Sequence, residues 1–142
     1  MRYTAGFLFT ENLRRVALIL KNKPDWQRGK LNAIGGKVED NEDSRRSMER
    51  EFEEETGVLV QGWRFFAELH SPTGDVIHFA SYASELADRV GSPTEEKVFL
   101  VEVASVETGR VCEGLPMPND GGGLRAIAPA MYNLPWLVRM GV

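Results

Sequence analysis

The chain contains a single cysteine, Cys112, among its 142 residues, so no disulfide can form within it. A lone cysteine is most simply interpreted as a small buried side chain. Its thiol fits a reducing compartment, so we expect a cytoplasmic protein. Basic residues are outnumbered, since 17 Lys and Arg stand against 21 Asp and Glu and leave a net charge of −4. A general nucleic-acid binder would present a basic surface, so the charge argues against a nucleic-acid partner.

Long hydrophobic runs are also missing. Residues 1–23 contain no continuous apolar stretch of the length that a signal peptide or a membrane span requires. Internal repeats and low-complexity segments are not seen. A chain of 142 residues can bury a sizeable core by itself. The expectation is therefore a single domain over 1–142, without a membrane partner.

Runs of β-branched and aromatic residues between turn residues predict more strands than helices. The predicted strands and extended segments are 6–9, 15–20, 29–34, 58–60, 63–70, 75–84 and 97–103. Helical spacing predicts two late helices, at 126–132 and 136–140. A mixed β-sheet flanked by helices, an α/β architecture, is the simplest arrangement of these elements.

The three tryptophans, Trp26, Trp63 and Trp136, are interpreted as packing residues. Trp136 stands with Leu137 and Met140 at helical spacing, which favours a place in the core over a platform for a nucleotide base.

One segment, residues 36–58, is dense in glutamate and bounded by glycines: GKVEDNEDSRRSMEREFEEETGV. Ser44 is placed to cap a helix, and the acidic residues around it favour the positive end of the helix dipole. Gly57 is suited to end the same helix. These signals predict a helix over about residues 45–56.

Three glutamates, Glu51, Glu54 and Glu55, meet near one edge of that helix. Like charges held so close raise one another's proton affinity unless a cation neutralises them. Three hard oxygen ligands with room for water suit Mg²⁺ or Mn²⁺ better than zinc. The alternative is a solvated acidic helix face, which is the ordinary role of an isolated Glu-rich run.

The spacing of the whole segment resembles a complete Nudix box. The pattern is Gly36, five residues, Glu42, seven residues, and then Arg50-Glu51-apolar-any-Glu54-Glu55-any-Gly57-apolar. Gly36, Glu42, Arg50 and Gly57 would have no role in a generic solvated helix, so the resemblance favours the metal site. It implies a Nudix α/β/α sandwich with a mixed sheet, and a metal-dependent pyrophosphohydrolase with a small-molecule nucleotide as substrate.

The resemblance also implies roles for individual residues. Glu51, Glu54 and Glu55 would bind the metal, helped by the carbonyl of Gly35. The remaining box residues, Gly36, Glu42, Arg50 and Gly57, would be structural, with Glu42 and Arg50 pairing to hold the loop against the helix.

Water would attack phosphorus, and a glutamate would take its proton. Members of the family use either a box glutamate, here Glu51, or one from a later loop. In Thr94-Glu95-Glu96-Lys97, which precedes a predicted strand, Glu96 is preferred to Glu95 as this later residue. The alternative for Glu96 is a solvated turn.

Two further segments concern the nucleotide base. Residues 31–37, LNAIGGK, resemble the segment of animal oxidised-purine nucleoside triphosphatases in which an Asn binds the purine, and Asn32 has that position. Its amide offers both a donor and an acceptor; the alternative is a strand-end Asn that bonds backbone. Tyr132 and Asn133 resemble the region that contacts the base in those enzymes, although the acidic pair found there is absent.

The substrate class stays open at this point. A nucleoside triphosphate, including a damaged purine one, is preferred to ADP-ribose-like dinucleotides, because Pro72 is better explained by an ordinary turn. A non-catalytic nucleotide sensor is the second class of function. Basic residues near the site, Lys37 foremost, are candidates for phosphate binding; the others are Lys23, Arg28 and Lys30. The pattern does not distinguish a monomer from a homodimer.

Overall fold

The computed structural model describes residues 1–107, 115–116, 124–125 and 134–141. The strands are β1 (Arg2–Leu8), β2 (Arg15–Leu20), β3 (Leu31–Asn32), β4 (Arg64–Ser71), β5 (Gly74–Ser81), β6 (Val98–Glu102), β7 (Leu115–Pro116) and β8 (Leu124–Arg125). The helices are α1 (Ser44–Thr56), α2 (Ser84–Ala87), α3 (Val103–Glu107) and α4 (Leu134–Gly141). None of the described helices is long and apolar enough to cross a membrane.

The strands form a mixed arrangement around β1. One sheet has the order β1-β5-β4 and the other the order β3-β2-β6. β1 and β5 run parallel, from the pair Arg2–Asp75 to the pair Leu8–Ser81, whereas the other pairs in these two sheets are antiparallel. Single bridges at Phe9–Val16 and Gly6–Ile34 join the two sheets.

Helices cover both faces of these strands. On one face, Met48 and Phe52 of α1 pack with Ile77 and Phe79 of β5. On the other face, Leu137 and Val138 of α4 belong to a second buried cluster with residues of β1, β2 and β6. This layering confirms the predicted α/β/α sandwich with a mixed sheet, and alternation along each strand supplies a hydrophobic residue to each face in turn.

The predicted box helix is confirmed, with a correction at its start. Asp43 is the N-cap, and its side chain accepts a hydrogen bond from the backbone N–H of Arg46 at 2.9 Å, so Ser44 is already the first helical residue. Asp and Ser are both good caps, and only the backbone geometry decides between neighbours. Gly57 ends the helix with φ of 80° and donates its N–H to the Glu53 carbonyl.

Several local predictions are wrong. Residues 58–60 form no strand, and the predicted strand over 29–34 shrinks to Leu31–Asn32. The strand predicted over 75–84 ends at Ser81, because Ser84 begins the short α2. A short apolar run does not distinguish a strand from a connection that simply enters the core, as Val60 does.

The tryptophan predictions divide. Trp63 is 2% exposed and packs against Phe52 of α1, as predicted, whereas Trp26 is 62% exposed and is not a core residue. The helical spacing predicts that Leu137 and Met140 both lie in the core with Trp136. Leu137 is buried, whereas Met140 on the same helix α4 is 46% exposed. Cys112, Tyr132, Asn133 and the helix predicted over 126–132 lie outside the described residues, as does the side chain of Trp136.

Candidate active site

The glycine segment lies against β1. The N–H of Thr4 donates to the Gly36 carbonyl at 2.8 Å, and the N–H of Gly6 donates to the Ile34 carbonyl at 2.7 Å. Gly36 faces the carboxyl group of Glu51 so closely that a Cβ at Gly36 would overlap all three of its terminal atoms. The missing side chain therefore allows this backbone to approach a helix glutamate, as a ligand site would need.

Arg50 joins the loop before the helix to the helix itself. Its Nε and Nη2 donate to the two carboxylate oxygens of Glu42 at 2.8 and 3.0 Å, and Nη2 also donates to the Lys37 carbonyl at 3.1 Å. The hydrogen bonds from Arg50 outweigh burial and lower the pKa of Glu42 to about 2. This bidentate pair has the geometry expected for the architectural role of both residues.

The box glutamates differ in exposure. Glu51 and Glu55 are half-buried and Glu54 is exposed. Burial raises the pKa of Glu51, although Arg50, whose Nη1 donates to its Oε1 at 2.9 Å, opposes that shift. Burial, reinforced by the charges of Glu51 and Glu96, raises the pKa of Glu55 to about 7, against an opposing effect of Lys21. Two carboxylates are thus held where their negative charge is poorly solvated.

Glu55 provides the test of whether a cation fits. Its Oε2 is buried and has no hydrogen-bond partner in the described part of the chain. The N–H of Gly35 faces the same carboxylate, which places the glycine segment and the helix glutamate together. An unpaired buried carboxylate oxygen beside a second half-buried carboxylate is suited to a hard divalent cation, and Glu54 is near enough along the helix to contribute.

The glutamates do not form a closed cage by themselves. Within the described ranges, the one group of three His, Asp or Glu side chains with ligand atoms within 4.8 Å of one another lies elsewhere, on the β4–β5 hairpin. Glu51 is turned towards Arg50, to which Glu54 is also linked at 3.5 Å.

Glu96 lies buried beside the same cluster rather than in a solvated turn. Its Oε2 accepts from the Asn22 N–H at 2.6 Å, and its Oε1 accepts from the Lys21 ammonium at 3.1 Å. Burial alone would raise the pKa of Glu96, but these hydrogen bonds and the Lys21 charge outweigh it and lower the pKa. Glu95, its neighbour, is exposed.

Lys21 is the residue that the sequence patterns missed. Its side chain is 16% exposed, it pairs with Glu96, and its charge also acts on Glu55. The four basic residues singled out from the sequence omitted it, because Lys21 directly follows the apolar run of β2 and belongs to no motif. The available signal was the position of Lys21 directly after the apolar run of β2, where a lysine is brought close to the core.

The base-recognition residues are placed in part. The Nδ2 of Asn32 donates to the Gln27 side chain at 3.1 Å, and its Oδ1 accepts from the Ala33 N–H at 2.8 Å. Lys37 is exposed next to the glycine pair. Tyr132 and Asn133 lie outside the described residues.

Comparisons with known proteins identify the family and the fold. The family model for the NUDIX domain matches residues 1–119. A MutT structure described for Aliivibrio salmonicida and Vibrio cholerae has a TM-score of 0.63 at 21% identity, covering 76% of this chain and 86% of that one. MutT of Bacillus halodurans has a TM-score of 0.65 at 20% identity, with coverages of 97% and 79%.

A third similar structure is the NUDIX domain of Shewanella oneidensis NrtR, complexed with ADP ribose. Its TM-score is 0.68 at 14% identity, with coverages of 99% of this chain and 84% of that one. A search of curated proteins found no match. At these identities the structural neighbours establish the fold alone, whereas the family model spans most of the chain and includes the complete glutamate box. The chain belongs to the Nudix family.

Proposed function

We propose that the protein is a Mg²⁺-dependent pyrophosphohydrolase that cleaves a nucleoside diphosphate linked to another group, with a nucleoside triphosphate as preferred substrate. The observation that carries the proposal is Glu55, whose buried Oε2 has no hydrogen-bond partner among the described residues and which lies beside Glu51 and the glycine segment. A nucleotide sensor would not need this arrangement, because sensing requires no charged group held ready for chemistry. All the box glutamates are retained in the sequence.

Glu51, Glu54, Glu55 and the Gly35 carbonyl would hold the cation, with Glu96 as a further ligand or as the base. Bound divalent cations supply charge neutralisation on the phosphates and lower the pKa of the attacking water. Arg50 fixes Glu51 by a 2.9 Å hydrogen bond and ties the loop carrying Glu42 to the helix. Glu96 or Glu51 accepts the proton of the water as it attacks phosphorus.

The exposed Lys37, next to the glycine pair, is the first candidate for binding phosphate oxygens, and Lys23, Arg28 and Lys30 are the further basic residues available. For the base, Asn32 lies on β3, close in sequence to the glycine segment that would position the phosphates. Its amide would exchange the Gln27 contact for a purine edge. Tyr132 would stack on the base and Asn133 would contact its edge, so that the preferred substrate is a purine triphosphate, including an oxidised one. Cellular localisation in the cytoplasm belongs to the same proposal.

The test is turnover of a nucleotide panel with Mg²⁺, with the products identified. The panel contains purine and pyrimidine nucleoside triphosphates, an oxidised guanine triphosphate, ADP-ribose and a dinucleotide. We expect release of pyrophosphate and a nucleoside monophosphate from the triphosphates. Faster turnover of ADP-ribose would identify the alternative substrate class. Saturable binding with no product from any member would contradict catalysis and identify a sensor.

Asn32→Ala tests base recognition separately. Losing a bidentate amide contact costs about 1–3 kcal/mol of discrimination, so the ratio of kcat/KM between purine and pyrimidine triphosphates should fall by roughly 5- to 150-fold. An unchanged ratio would assign Asn32 to the strand end. An equal loss of kcat/KM on every substrate would show that Asn32 acts on phosphate binding or on folding instead. Gln27→Ala is the matched control, because it removes the side chain that accepts from the Asn32 Nδ2 and leaves Asn32 in place.

A further inference from the structure

The end of the β4–β5 hairpin brings together three side chains that can bind a metal. Glu68 and His70 alternate along β4 and therefore point to the same face of the sheet. Asp75 of β5 is paired directly with His70 in the antiparallel register. The ligand atoms of Glu68, His70 and Asp75 all lie within 4.8 Å of one another.

These donors suit a different metal from the box glutamates. One imidazole with two carboxylates fits a borderline divalent ion such as Zn²⁺, whereas Mg²⁺ prefers oxygen ligands alone. Two ligands bound to zinc at 2.0–2.2 Å in a tetrahedral site lie about 3.4 Å apart. The His70 Nδ1 and Asp75 Oδ1 are 3.0 Å apart, so only small side-chain rotations are needed to seat an ion among the three donors.

The backbone beneath these side chains is fixed. The turn of the hairpin is closed by the hydroxyl of Ser71, which donates to the Gly74 carbonyl at 2.7 Å. The N–H of Asp75 donates to the Met1 carbonyl at 2.9 Å, on the other side of β5 from β4. Because the ligands lie on paired strands, they are already aligned before a metal binds, and binding has to order little additional backbone.

The cluster is separate from the candidate active site. Glu68 lines a surface cavity together with Ser44 and Arg45, at the start of α1. Glu55 lies eleven residues further along that helix, a distance of about 16 Å at the helical rise. The exposure of Glu68 and His70 leaves room for water on the outer side of an ion.

We propose that Glu68, His70 and Asp75 bind one Zn²⁺-like cation that fastens the end of the β4–β5 hairpin. The site is structural: it joins two adjacent strands, it takes no part in the phosphate chemistry, and it does not depend on the proposed hydrolase activity. An exposed His–Asp ion pair alone would contribute little to stability, whereas a cation shared by three ligands adds its binding free energy to that of the folded state.

Histidine NMR offers a direct test, because the chain has only two histidines, His70 and the buried His78. Zn²⁺ is added to the full-length protein in the presence of millimolar Mg²⁺, which occupies the oxygen site. We expect the ring signals of His70 to shift to an endpoint at one equivalent while those of His78 stay in place. An unmoved His70 would overturn the proposal.

Substitutions distinguish a three-ligand site from a lone histidine. Loss of a supporting partner of a metal ligand already weakens affinity about 10–100-fold, so loss of a ligand itself should cost no less. Glu68→Gln and Asp75→Asn should each weaken Zn²⁺ binding by at least about tenfold. Glu85→Gln, an exposed charge-matched control on α2, should not change it.

Equal Zn²⁺ affinity in the wild type, Glu68→Gln and Asp75→Asn would show that His70 binds alone and would also overturn the proposal. Thermal unfolding provides the second readout: Zn²⁺ should raise the Tm of the wild type and leave that of His70→Gln unchanged. His70→Gln should hydrolyse nucleotides at the wild-type rate, because His70 lies outside the proposed catalytic machinery.

Discussion

At Glu55, burial and charge oppose each other. The side chain is half-buried, its Oε2 lacks a partner in the described region, and its pKa is raised to about 7. In the absence of a divalent cation the ionised form therefore destabilises the fold, and a bound cation removes that cost.

Replacing Glu55 or Glu54 by Gln keeps the shape and removes a charged ligand. We expect turnover to fall by about a hundredfold or more. Glu55→Gln should also unfold at the same or a higher temperature than the wild type in EDTA, and gain less from Mg²⁺. The measurements are steady-state turnover across millimolar Mg²⁺ and thermal unfolding with and without the ion.

The matched control is Glu53→Gln, because Glu53 is exposed on the same helix and is not one of the box glutamates. Near-normal turnover of both Glu54→Gln and Glu55→Gln would remove these residues from the site.

Glu96 and Glu95 form a second natural comparison. Glu96 is buried and bonded to Lys21 and Asn22, whereas Glu95 is exposed. If Glu96 is the base, Glu96→Gln lowers kcat with little change in KM and flattens the acid side of the pH–rate profile, while Glu95→Gln changes neither.

Lys21→Met tests whether Glu96 acts as the base or only holds the loop at Asn22 in place. This variant keeps the Glu96 carboxylate and removes its ion-pair partner. A purely structural Glu96 predicts the same loss of turnover in Lys21→Met and Glu96→Gln, with the pH profile unchanged in shape. That outcome would transfer the role of base to Glu51 or another group.

At the scale of elements, the box uses two glycines for different physical reasons. Gly57 adopts φ of 80° at the end of α1, and no atom of the described residues outside its immediate surroundings lies within 4 Å of the position of a Cβ. Gly36 has no room for a Cβ, because the Glu51 carboxyl group fills that space.

We therefore expect the two alanine variants to fail differently. Gly57→Ala should lower the free energy of unfolding by about 1–2 kcal/mol through left-handed strain, with turnover per folded molecule unchanged. Gly57→Asn should lose less, since Asn tolerates this conformation. Gly36→Ala should displace Glu51 and reduce turnover. Urea unfolding measures the effect on stability, and steady-state kinetics measure the effect on turnover. A lower turnover per folded molecule in Gly57→Ala, with unchanged turnover in Gly36→Ala, would contradict both interpretations.

For the whole molecule, stability should depend on pH through His78, which is buried in β5 beside the ring of Phe66. Burial lowers the pKa of His78 to about 4, against weaker opposing contacts with the carbonyls of Val76 and Ala67. The unfolded chain binds this proton near pH 6.5 and the folded chain does not, so the contribution is present above pH 6.5 and is lost towards pH 4.

Between pH 7 and pH 5 the loss from His78 should be about 2 kcal/mol. Glu55 acts in the opposite direction in this window, because its raised pKa makes the folded chain bind the extra proton. Urea unfolding of the wild type and His78→Leu at both pH values isolates the histidine, since the contribution of Glu55 cancels in the difference. An equal pH dependence in the two proteins would contradict the buried neutral state of His78.

Local sequence patterns are sufficient to predict the box helix, the buried face and acidic edge of that helix, and the class of fold. These features repeat with the period of one helix or one strand, or lie within 23 residues of one another, so short-range spacing encodes them. The Glu42–Arg50 pair belongs to this group, because the loop and helix that it joins are adjacent in the chain.

The residues that surround that acidic edge come from distant parts of the chain and depend on tertiary packing. Lys21 and Glu96 are 75 residues apart, and they meet because β2 and β6 are neighbouring strands. The same long-range packing buries Trp63 under α1 and leaves Trp26 exposed, although both are large apolar side chains. Local spacing specifies which face of an element is apolar, but the partner of each face depends on strand order, which residues distant in the chain determine together.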